Sequence, residues 1–411
     1  MELPEALVFD FPTLRQLAIH LSMNSRPQMV EHIAAHDPPS ETALAQLPIR
    51  LGARAVQVDT PLRRLTYAAG AACKLPSSAD CLGVYSSCVR ASHDALIQVP
   101  SSRWRVDASS LDGSIASRCR YAGFMRAPEL FDHGAFLLSP AETMAMDPQQ
   151  RLLLELGYEA LHGACLIRGQ LAGSLTGIFL GFGGSDFSGL LSMTPEGRSV
   201  YAATGYASSI ASGRLCYILG LHGPCASYDT ACSSALTAYH ACHRALQKGD
   251  STTSLAAGIN LMLSPAAGVV FAIAGLTSSL GRSFTWDARA DGYARGEACC
   301  TMALREQTGS AIGVQLICAL GNAVRQDGRS ASLTAPNGQA QQGLLAAALQ
   351  DAGAAADSLT LNEAHGTGTA LGDPIEAGSL VGRFLPWRVS RSERRLGQRK
   401  GLAASALLPS S

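Results

Sequence analysis

The sequence carries no surplus of either charge sign, because 32 Lys and Arg residues balance 32 Asp and Glu residues. Proteins that bind nucleic acid usually carry a basic surplus that meets the phosphates, so this balance argues against a nucleic-acid partner. Charged residues make up 16% of the 411 residues and hydrophobic residues 47%, which excludes an intrinsically disordered chain. Aromatic residues are also few, at 6%, whereas glycines number 41. This composition is typical of closely packed layers joined by many turns.

Long apolar runs are missing as well. The longest run, residues 261–276, is interrupted by Ser264 and Pro265 and is shorter than the ~20 residues that a membrane-spanning helix needs. The first residues lack the basic and apolar segments of a secretory signal peptide. We therefore expect a soluble, intracellular protein of the cytoplasm with no membrane span.

The twelve cysteines lack the spacing of a disulfide framework or a metal site. The sequence contains neither a CxxC pair nor a Cys/His quartet at zinc spacing. His240, Cys242 and His243 are an alternative ligand cluster, but a helix would spread them around its circumference. Free thiols dispersed along a long chain fit a reducing compartment, and we expect no bound metal.

The chain divides into four zones. Residues 1–23 have helical periodicity, and residues 24–64 have the composition of a linker. Residues 65–382 alternate short apolar runs with helical patterns, which is typical of an α/β domain. Residues 383–411 break this pattern, with a basic stretch followed by a Ser-, Ala- and Leu-rich tail.

Within the α/β zone, five short apolar runs predict strands that are covered on both faces. These runs are Thr176–Gly181, Ser254–Leu261, Cys299–Leu304, Ile312–Leu320 and Leu359–Glu363. Two Asp-Pro pairs predict helix starts, at Asp147 and at Asp373, because Asp is a favoured N-cap and Pro a favoured first helical residue.

The first candidate for chemistry is Cys232. It lies in the stretch Asp-Thr-Ala-Cys-Ser-Ser (residues 229–234), just before an apolar helical pattern that ends at Lys248 and Gly249. Unpaired N–H groups and the helix dipole at such a position favour a thiolate. Small neighbouring residues leave room for a substrate. The alternative interpretation is a buried structural cysteine.

The second candidate is His365. The expected strand at residues 359–363 leads to it, and a glycine-rich loop follows before the helix that begins near Asp373. A histidine at the carboxyl end of a strand is where α/β folds present catalytic groups. A structural histidine is one alternative, and a dinucleotide-binding loop is another, although Gly366, Gly368 and Gly372 do not fit its GxGxxG spacing. Cys232 and His365 could form a thiolate–imidazole pair, but they lie 133 residues apart, so spacing alone does not show contact.

Several motifs resemble one family. Residues 229–234 strongly resemble the nucleophile motif of β-ketoacyl synthases, specifically the ketosynthase domains of modular type I polyketide synthases. Residues 363–376 resemble that family's first histidine motif, EAHGTGTxLGDPIE, nearly letter for letter. Further resembling stretches follow the family's order, at residues 131–161, 291–297 and 326–338. Together they extend over roughly residues 65–382.

The resemblance implies an α/β, thiolase-like fold of layers α-β-α-β-α, usually assembled as a homodimer. It implies that Cys232 accepts an acyl chain as a thioester from the phosphopantetheine arm of an acyl-carrier protein. A carrier-bound malonyl thioester then loses carbon dioxide, and its carbanion attacks the acyl thioester in a Claisen condensation. His365 would be one of two histidines that stabilise the developing enolate and oxyanion. The implied substrates are malonyl and acyl thioesters, with no cofactor bound to the domain itself.

The sequence departs from the family after residue 382. The family's second histidine motif and the lysine before it are absent from the sequence, as is its C-terminal glycine-rich loop. We therefore expect a truncated domain whose C-terminal half is incomplete, preceded by residues 1–23, which resemble the tail of an acyl-carrier domain. Two functions stay open: an acyltransferase of the β-ketoacyl synthase type, or a non-catalytic remnant that acts as an interaction module. For the 411-residue chain alone we expect negligible condensing activity.

Overall fold

The computed structural model of the chain describes residues 65–105, 111–307 and 317–384. The strands in these ranges are β1 (Thr66–Lys74), β2 (Ile97–Gln98), β3 (Tyr121–Gly123), β4 (Thr176–Phe182), β5 (Cys225–Tyr228), β6 (Thr253–Asn260), β7 (Arg295–Gly296), β8 (Ala298–Glu306) and β9 (Ile317–Ala319). The α-helices are α1 (Leu82–Arg90), α2 (Gly113–Arg118), α3 (Pro140–Met144), α4 (Pro148–Gly163), α5 (Arg168–Leu171), α6 (Phe187–Ser192), α7 (Ala202–Tyr206), α8 (Ser208–Leu219), α9 (Ser234–Lys248), α10 (Ala266–Ile273), α11 (Gly338–Ala352) and α12 (Gly372–Phe384). Short 3₁₀ turns lie at Gly134–Phe136, Pro195–Arg198, Ala231–Ser233 and Ala356–Ser358.

The larger sheet has six strands in the order β5-β4-β6-β8-β1-β9. β4 pairs in parallel with both β5 and β6, whereas β8 pairs antiparallel with β6 and β1, and β9 pairs antiparallel with β1. A small second sheet has the order β2-β3-β7. The carboxyl ends of β4, β5 and β6 therefore lie at one edge of the larger sheet, where α/β folds place ligands.

Helices cover both faces of the larger sheet. Side chains along a strand point alternately to opposite faces, so each strand contributes to a core on either side. On one face Ile178 and Leu180 of β4 pack in a core shared with α4 and α8. On the other face Phe179 of β4 and Ala256 of β6 pack against α9. All seven residues of β4 are consequently buried, as expected for a strand that is covered on both faces.

The strands expected at Thr176–Gly181, Ser254–Leu261 and Cys299–Leu304 are confirmed as β4, β6 and β8, with ends that differ by no more than two residues. Of the strand expected at Ile312–Leu320, the structure describes only the end, which contains β9. The zones predicted at residues 1–23 and 24–64 lie outside the described residues, as does the zone predicted at 383–411 except for its first two residues, which belong to α12.

The strand expected at Leu359–Glu363 is wrong. These residues form an irregular connection between the 3₁₀ turn Ala356–Ser358 and α12, and Leu361 is 82% exposed. A strand is stable only when a neighbouring strand receives its backbone hydrogen bonds, and within the described residues no strand pairs with this segment. An apolar run therefore was not sufficient to make a strand here.

None of the helices in the described parts of the chain is long and apolar enough to span a membrane. The same residues contain no group of three or more His, Cys, Asp and Glu side chains arranged to hold a metal ion.

Candidate active site

Cys232 lies where the sequence analysis places it, at the N-terminus of a helix. β5 ends at Tyr228, and the 3₁₀ turn Ala231–Ser233 leads directly into α9. The backbone N–H groups of Cys232 and Ser233 help to lower the pKa of the Cys232 thiol. N–H groups at a helix N-terminus favour the negative thiolate over the neutral thiol.

A set of short hydrogen bonds fixes this turn. The backbone N–H of Thr230 donates to the Ser234 hydroxyl at 2.8 Å, and that hydroxyl donates to the carbonyl of Ala231 at 2.7 Å. The backbone N–H of Ala231 donates to a carboxylate oxygen of Asp229 at 3.1 Å. Ala231 itself has a φ of +52°, a left-handed conformation that non-glycine residues rarely adopt. Hydrogen bonds on both sides of the turn hold it in this conformation.

Two glycines let the first turn of α9 lie directly on the sheet. Gly181 of β4 and Gly258 of β6 are partners in the ladder, and both face Ala235. A Cβ on Gly181 would lie 2.5 Å from the backbone nitrogen of Ala235, and one on Gly258 would lie 2.7 Å from its Cβ. Since no larger residue fits at either position, the sheet determines where α9 begins and hence where Cys232 lies.

Helix α9 buries the side chains that face the sheet and leaves others exposed. Ala238, Cys242 and Leu246 are buried against the sheet, whereas Leu236 is 73% exposed. Cys232 is also exposed. The alternative of a buried structural cysteine is therefore wrong, because the sulfur lies at an open edge of the fold.

His365 lies in the irregular loop before α12, and Glu376 of that helix holds the loop. The backbone N–H groups of His365 and Gly366 donate to the two carboxylate oxygens of Glu376, at 2.6 and 2.9 Å. The Thr285 hydroxyl donates to the carbonyl of Gly366. The loop is thus fastened on both sides although no strand precedes it.

Asp373 holds a second loop to the first. Its carboxylate accepts the backbone N–H of Gly368 at 3.0 Å and that of Trp286 at 2.9 Å. The N-cap expected at Asp373 is wrong by two residues, because α12 begins at Gly372 and Asp373 lies within its first turn. The Asp373 carboxylate therefore binds backbone N–H groups of the two loops and not those at the N-terminus of its own helix. At Asp147, in contrast, the expected N-cap is confirmed, with the carboxylate accepting the N–H of Gln149 at 2.8 Å.

The fold brings Cys232 and His365 together as side-chain hydrogen-bond partners. The hydrogen bond from His365 lowers the pKa of Cys232, and the charge of the imidazolium adds to this effect, against the opposing effect of burial. The same bond and the charge of the thiolate raise the pKa of His365, and the carboxylates of Glu376 and Asp373 raise it further. Both shifts favour the charged form of each group, which makes the sulfur a stronger nucleophile at neutral pH.

The alternative cluster of His240, Cys242 and His243 does not converge. His243 is buried and its Nδ1 lies 2.7 Å from the hydroxyl of Thr66, while His240 pairs with Asn322. Cys242 packs in the core between α9 and the sheet, where burial raises the pKa of its thiol. These three residues therefore hold α9 in place and do not form a ligand-binding cluster.

Sequence reasoning missed the roles of Glu376 and Asp373. Both belong to the Asp-Pro-Ile-Glu segment, which the sequence analysis interpreted as a helix cap. The amides that they bind lie from 5 to 87 residues away along the chain. Local spacing carried no signal for those contacts. Tyr293 was also missed as a neighbour of the site; burial raises the pKa of its phenol, and the negative charge of Cys232 raises it further.

Comparison with known proteins places this site in a family. The family model of the β-ketoacyl synthase N-terminal domain matches residues 68–309, and that of the β-ketoacyl synthase C-terminal domain matches residues 316–392. Two similar solved structures are the ketosynthase from module 6 of the bacillaene synthase of Bacillus subtilis, with a TM-score of 0.70, and an oxazolomycin ketosynthase domain of Streptomyces albus, with a TM-score of 0.72. Each is 29% identical to this chain and covers 78% of it, and the chain covers 54% and 56% of the two structures.

Curated relatives are far longer than this chain. The pikromycin polyketide synthase component PikAII of Streptomyces venezuelae is 37% identical over 406 residues, which are 97% of this chain and 10% of that protein. The polyketide synthase GfsB of Streptomyces halstedii is 36% identical over 390 residues, which are 93% of this chain and 7% of that protein. The chain belongs to the β-ketoacyl synthase family, with the thiolase-like fold of the ketosynthase domains of modular polyketide synthases.

Proposed function

We propose that this chain carries the acyl-accepting site of a ketosynthase, with Cys232 as nucleophile and His365 as its partner. The observation that carries the proposal is the hydrogen-bonded pair itself, in which the two side chains shift each other's pKa toward the charged forms. A thiolate at a helix N-terminus beside an imidazole is the arrangement used for attack on thioester and amide carbonyls. The exposed position of Cys232 leaves the sulfur open to a long substrate arm.

The first step is a thioester exchange. The Cys232 thiolate attacks the carbonyl of an acyl chain held on the phosphopantetheine arm of a carrier protein. A carbon–sulfur bond to Cys232 forms, the bond to the pantetheine sulfur breaks, and the pantetheine thiolate leaves and takes up a proton. The backbone N–H groups that stabilise the thiolate also favour its formation again when the acyl chain is later released.

The second step is decarboxylative condensation. A malonyl thioester loses carbon dioxide, and the resulting enolate carbon attacks the acyl thioester on Cys232. A carbon–carbon bond forms, the bond to the Cys232 sulfur breaks, and a β-ketoacyl thioester remains on the carrier. The imidazole of His365 would donate a hydrogen bond to the developing enolate oxygen, and Glu376 positions it by holding the backbone of its loop. The partners of the reaction are thus a carrier protein, a malonyl thioester and an acyl thioester. We place it in the cytoplasm, with a second copy of the chain as the assembly partner.

One observation favours the alternative of an interaction module. Leu236 and Leu361, each four residues from a member of the pair, are 73% and 82% exposed. Large exposed apolar side chains beside a site are typical of a surface that a partner covers. The two functions differ in whether Cys232 becomes acylated.

Acylation of Cys232 is the test of the proposal. The purified chain is incubated with a hexanoyl-pantetheine thioester at pH 7, and intact-protein and peptide mass spectrometry locate the added acyl group. We expect the adduct on Cys232, its loss in Cys232→Ala, and its retention in Cys165→Ala, which removes another exposed cysteine. Release of carbon dioxide from a malonyl-carrier protein then measures the second step.

The outcomes separate the two functions. Acylated Cys232 supports the ketosynthase proposal, and carbon dioxide release that is lost in His365→Ala extends it to condensation. Folded protein that binds acyl-carrier protein without any adduct on Cys232 contradicts it and favours the interaction module.

A further inference from the structure

A polar contact joins α9 to α11 at the end of α9 that lies away from Cys232. Arg244 of α9 donates from Nη2 to the backbone carbonyl of Asn322 at 3.0 Å, and the same nitrogen pairs with the carboxylate of Asp351 at 2.8 Å. Asp351 lies in the last turn of α11, and its carboxylate also accepts the backbone N–H of Asn322 at 2.8 Å. The other terminal nitrogen of Arg244 donates to Gln247 at 2.6 Å. We call Arg244, Asn322 and Asp351 the α9–α11 joint.

The backbone approaches α11 closely at this joint. Gly321 precedes Asn322, and a Cβ on Gly321 would lie 2.3 Å from the backbone nitrogen of Ala352 at the end of α11. His240, one turn before Arg244 on α9, is a further hydrogen-bond partner of the Asn322 side chain. Residues 321–322 are therefore held between the two helices, by close contact on the α11 side and by polar contacts on the α9 side.

The joint bears on the active site because α11 belongs to the part of the fold that carries His365. α11 packs against α12, and Glu376 of α12 holds the His365 loop. Near that loop, this part is attached to the rest of the fold by backbone contacts such as the N–H of Gly292 donating to the carbonyl of Gly368 at 2.9 Å. A body that is attached at one point can pivot about it, whereas a second, distant attachment fixes its angle. Besides the three-residue pairing of β9 with β1, the α9–α11 joint supplies such an attachment.

We propose that Arg244 is a positioning residue for acyl transfer, which fixes the part of the fold carrying His365 so that its imidazole meets the sulfur of Cys232. Arg244 lies roughly 15 Å along α9 from the N-terminus of that helix, at 1.5 Å per residue, so it acts without touching either member of the pair. Its role in the reaction rests on the proposed function, whereas its effect on the pair does not. Loss of the joint lets the imidazole move away from the sulfur, and the thiolate loses part of its stabilisation.

The test compares the pH dependence of iodoacetamide alkylation at Cys232 in the full chain and in Arg244→Met. Methionine keeps an apolar stem and removes every donor of the guanidinium. We expect the profile of the variant to be displaced to higher pH, with a rate at pH 7 lower by about threefold, which is half a pKa unit. A contact that only stabilised the fold would change the free energy of unfolding and leave this profile in place. Arg244→Lys keeps the charge beside Asp351 and is expected to restore part of the rate.

The matched control is Arg305→Met. Arg305 is a partly buried arginine of β8 that donates to the hydroxyl of Thr253 on β6, within the larger sheet. Its substitution removes the same charge and the same donors without touching the joint, so we expect the wild-type profile. An unmoved profile in folded Arg244→Met overturns the proposal, and so does an equal displacement in Arg305→Met.

A second variant keeps the test decisive if circular dichroism shows that Arg244→Met does not fold. Asp351→Asn keeps an acceptor for the N–H of Asn322 but loses the charge pair, and we expect a displacement in the same direction, whereas an unmoved profile overturns the proposal. Acylation by the hexanoyl-pantetheine thioester is measured in parallel. Wild-type protein that is not acylated contradicts the proposed function, while the alkylation profiles still decide the role of the joint. Equal acylation rates in wild type and Arg244→Met contradict the positioning role alone.

Discussion

At the scale of single residues, the left-handed backbone conformation of Ala231 is a feature of the active site that lowers the stability of the fold. A φ of +52° destabilises a non-glycine residue by roughly 1–2 kcal/mol. The surrounding hydrogen bonds from Thr230 and Ser234 offset this cost. The bend places the next residue, Cys232, at the open edge of the sheet with the N-terminus of α9 behind it. The sequence predicts a helix start here, but nothing in a run of small residues reveals the sign of one φ angle.

A glycine at this position tests whether the strain exists. Glycine adopts left-handed angles at little cost but gains entropy in the unfolded chain, so we expect Ala231→Gly to leave the free energy of unfolding unchanged or raise it by up to ~1 kcal/mol. The matched control is Ala241→Gly in the middle of α9, which is expected to lower it by ~1 kcal/mol. Urea unfolding followed by circular dichroism gives both values. Equal losses in the two variants would show that Ala231 is not strained.

At the scale of elements, α12 organises the site through its first turns. Glu376 binds the amides of His365 and Gly366, and Asp373 binds those of Gly368 and Trp286. The sequence identifies these carboxylates as helix-capping groups because capping depends on local spacing. It does not predict their binding to loops, because this depends on which distant backbone amides the fold leaves without partners.

Glu376→Gln tests the positioning role of this helix. A glutamine offers one acceptor oxygen in place of two and turns an N–H₂ toward a backbone N–H, so the His365 loop loses one charge-assisted hydrogen bond. Loss of the negative charge also removes one influence that raises the pKa of His365. We expect a lower imidazole pKa in an NMR titration and slower acylation of Cys232.

The control for this variant is Glu363→Gln. Glu363 is exposed and lies two residues before His365, so the substitution makes the same chemical change next to the loop. We expect the imidazole pKa and the acylation rate to stay at their wild-type values in this variant. Equal effects of the two substitutions would mean that Glu376 acts through the general charge of the region and not through the amides that it binds.

Elements also show where local sequence is insufficient. The runs that became β4, β6 and β8 have neighbours on both sides in the larger sheet. The run at residues 359–363 was also expected to be a strand, yet no described strand pairs with it and it stays irregular. An apolar run indicates that a segment can be a strand, whereas the presence of a partner decides whether it becomes one.

At the scale of the whole molecule, the fold joins two halves of the site that are 133 residues apart. Cys232 follows the parallel strand β5, and His365 comes from a loop fastened to α12 and to residues 285–286. The sequence alone predicts each residue as a separate candidate, from a helix N-terminus and from a glycine-rich loop. Their contact was expected from the family resemblance, because spacing along the chain contains no information about it.

The most direct test of this account is the pH dependence of alkylation at Cys232, with and without its partner. The rate of reaction with iodoacetamide follows the thiolate fraction, and the lowered pKa of Cys232 keeps that fraction high below the pH at which an ordinary cysteine loses its proton. In His365→Ala the pKa is expected to rise, so the rate at pH 7 falls several-fold, by about tenfold for each pKa unit, and the difference disappears near pH 10. The control is His222→Ala, which removes an exposed histidine. Mass spectrometry resolves Cys232 from Cys225, whose pKa is also lowered. The account predicts a profile displaced to higher pH in His365→Ala alone, and superimposable profiles for all three proteins would contradict it.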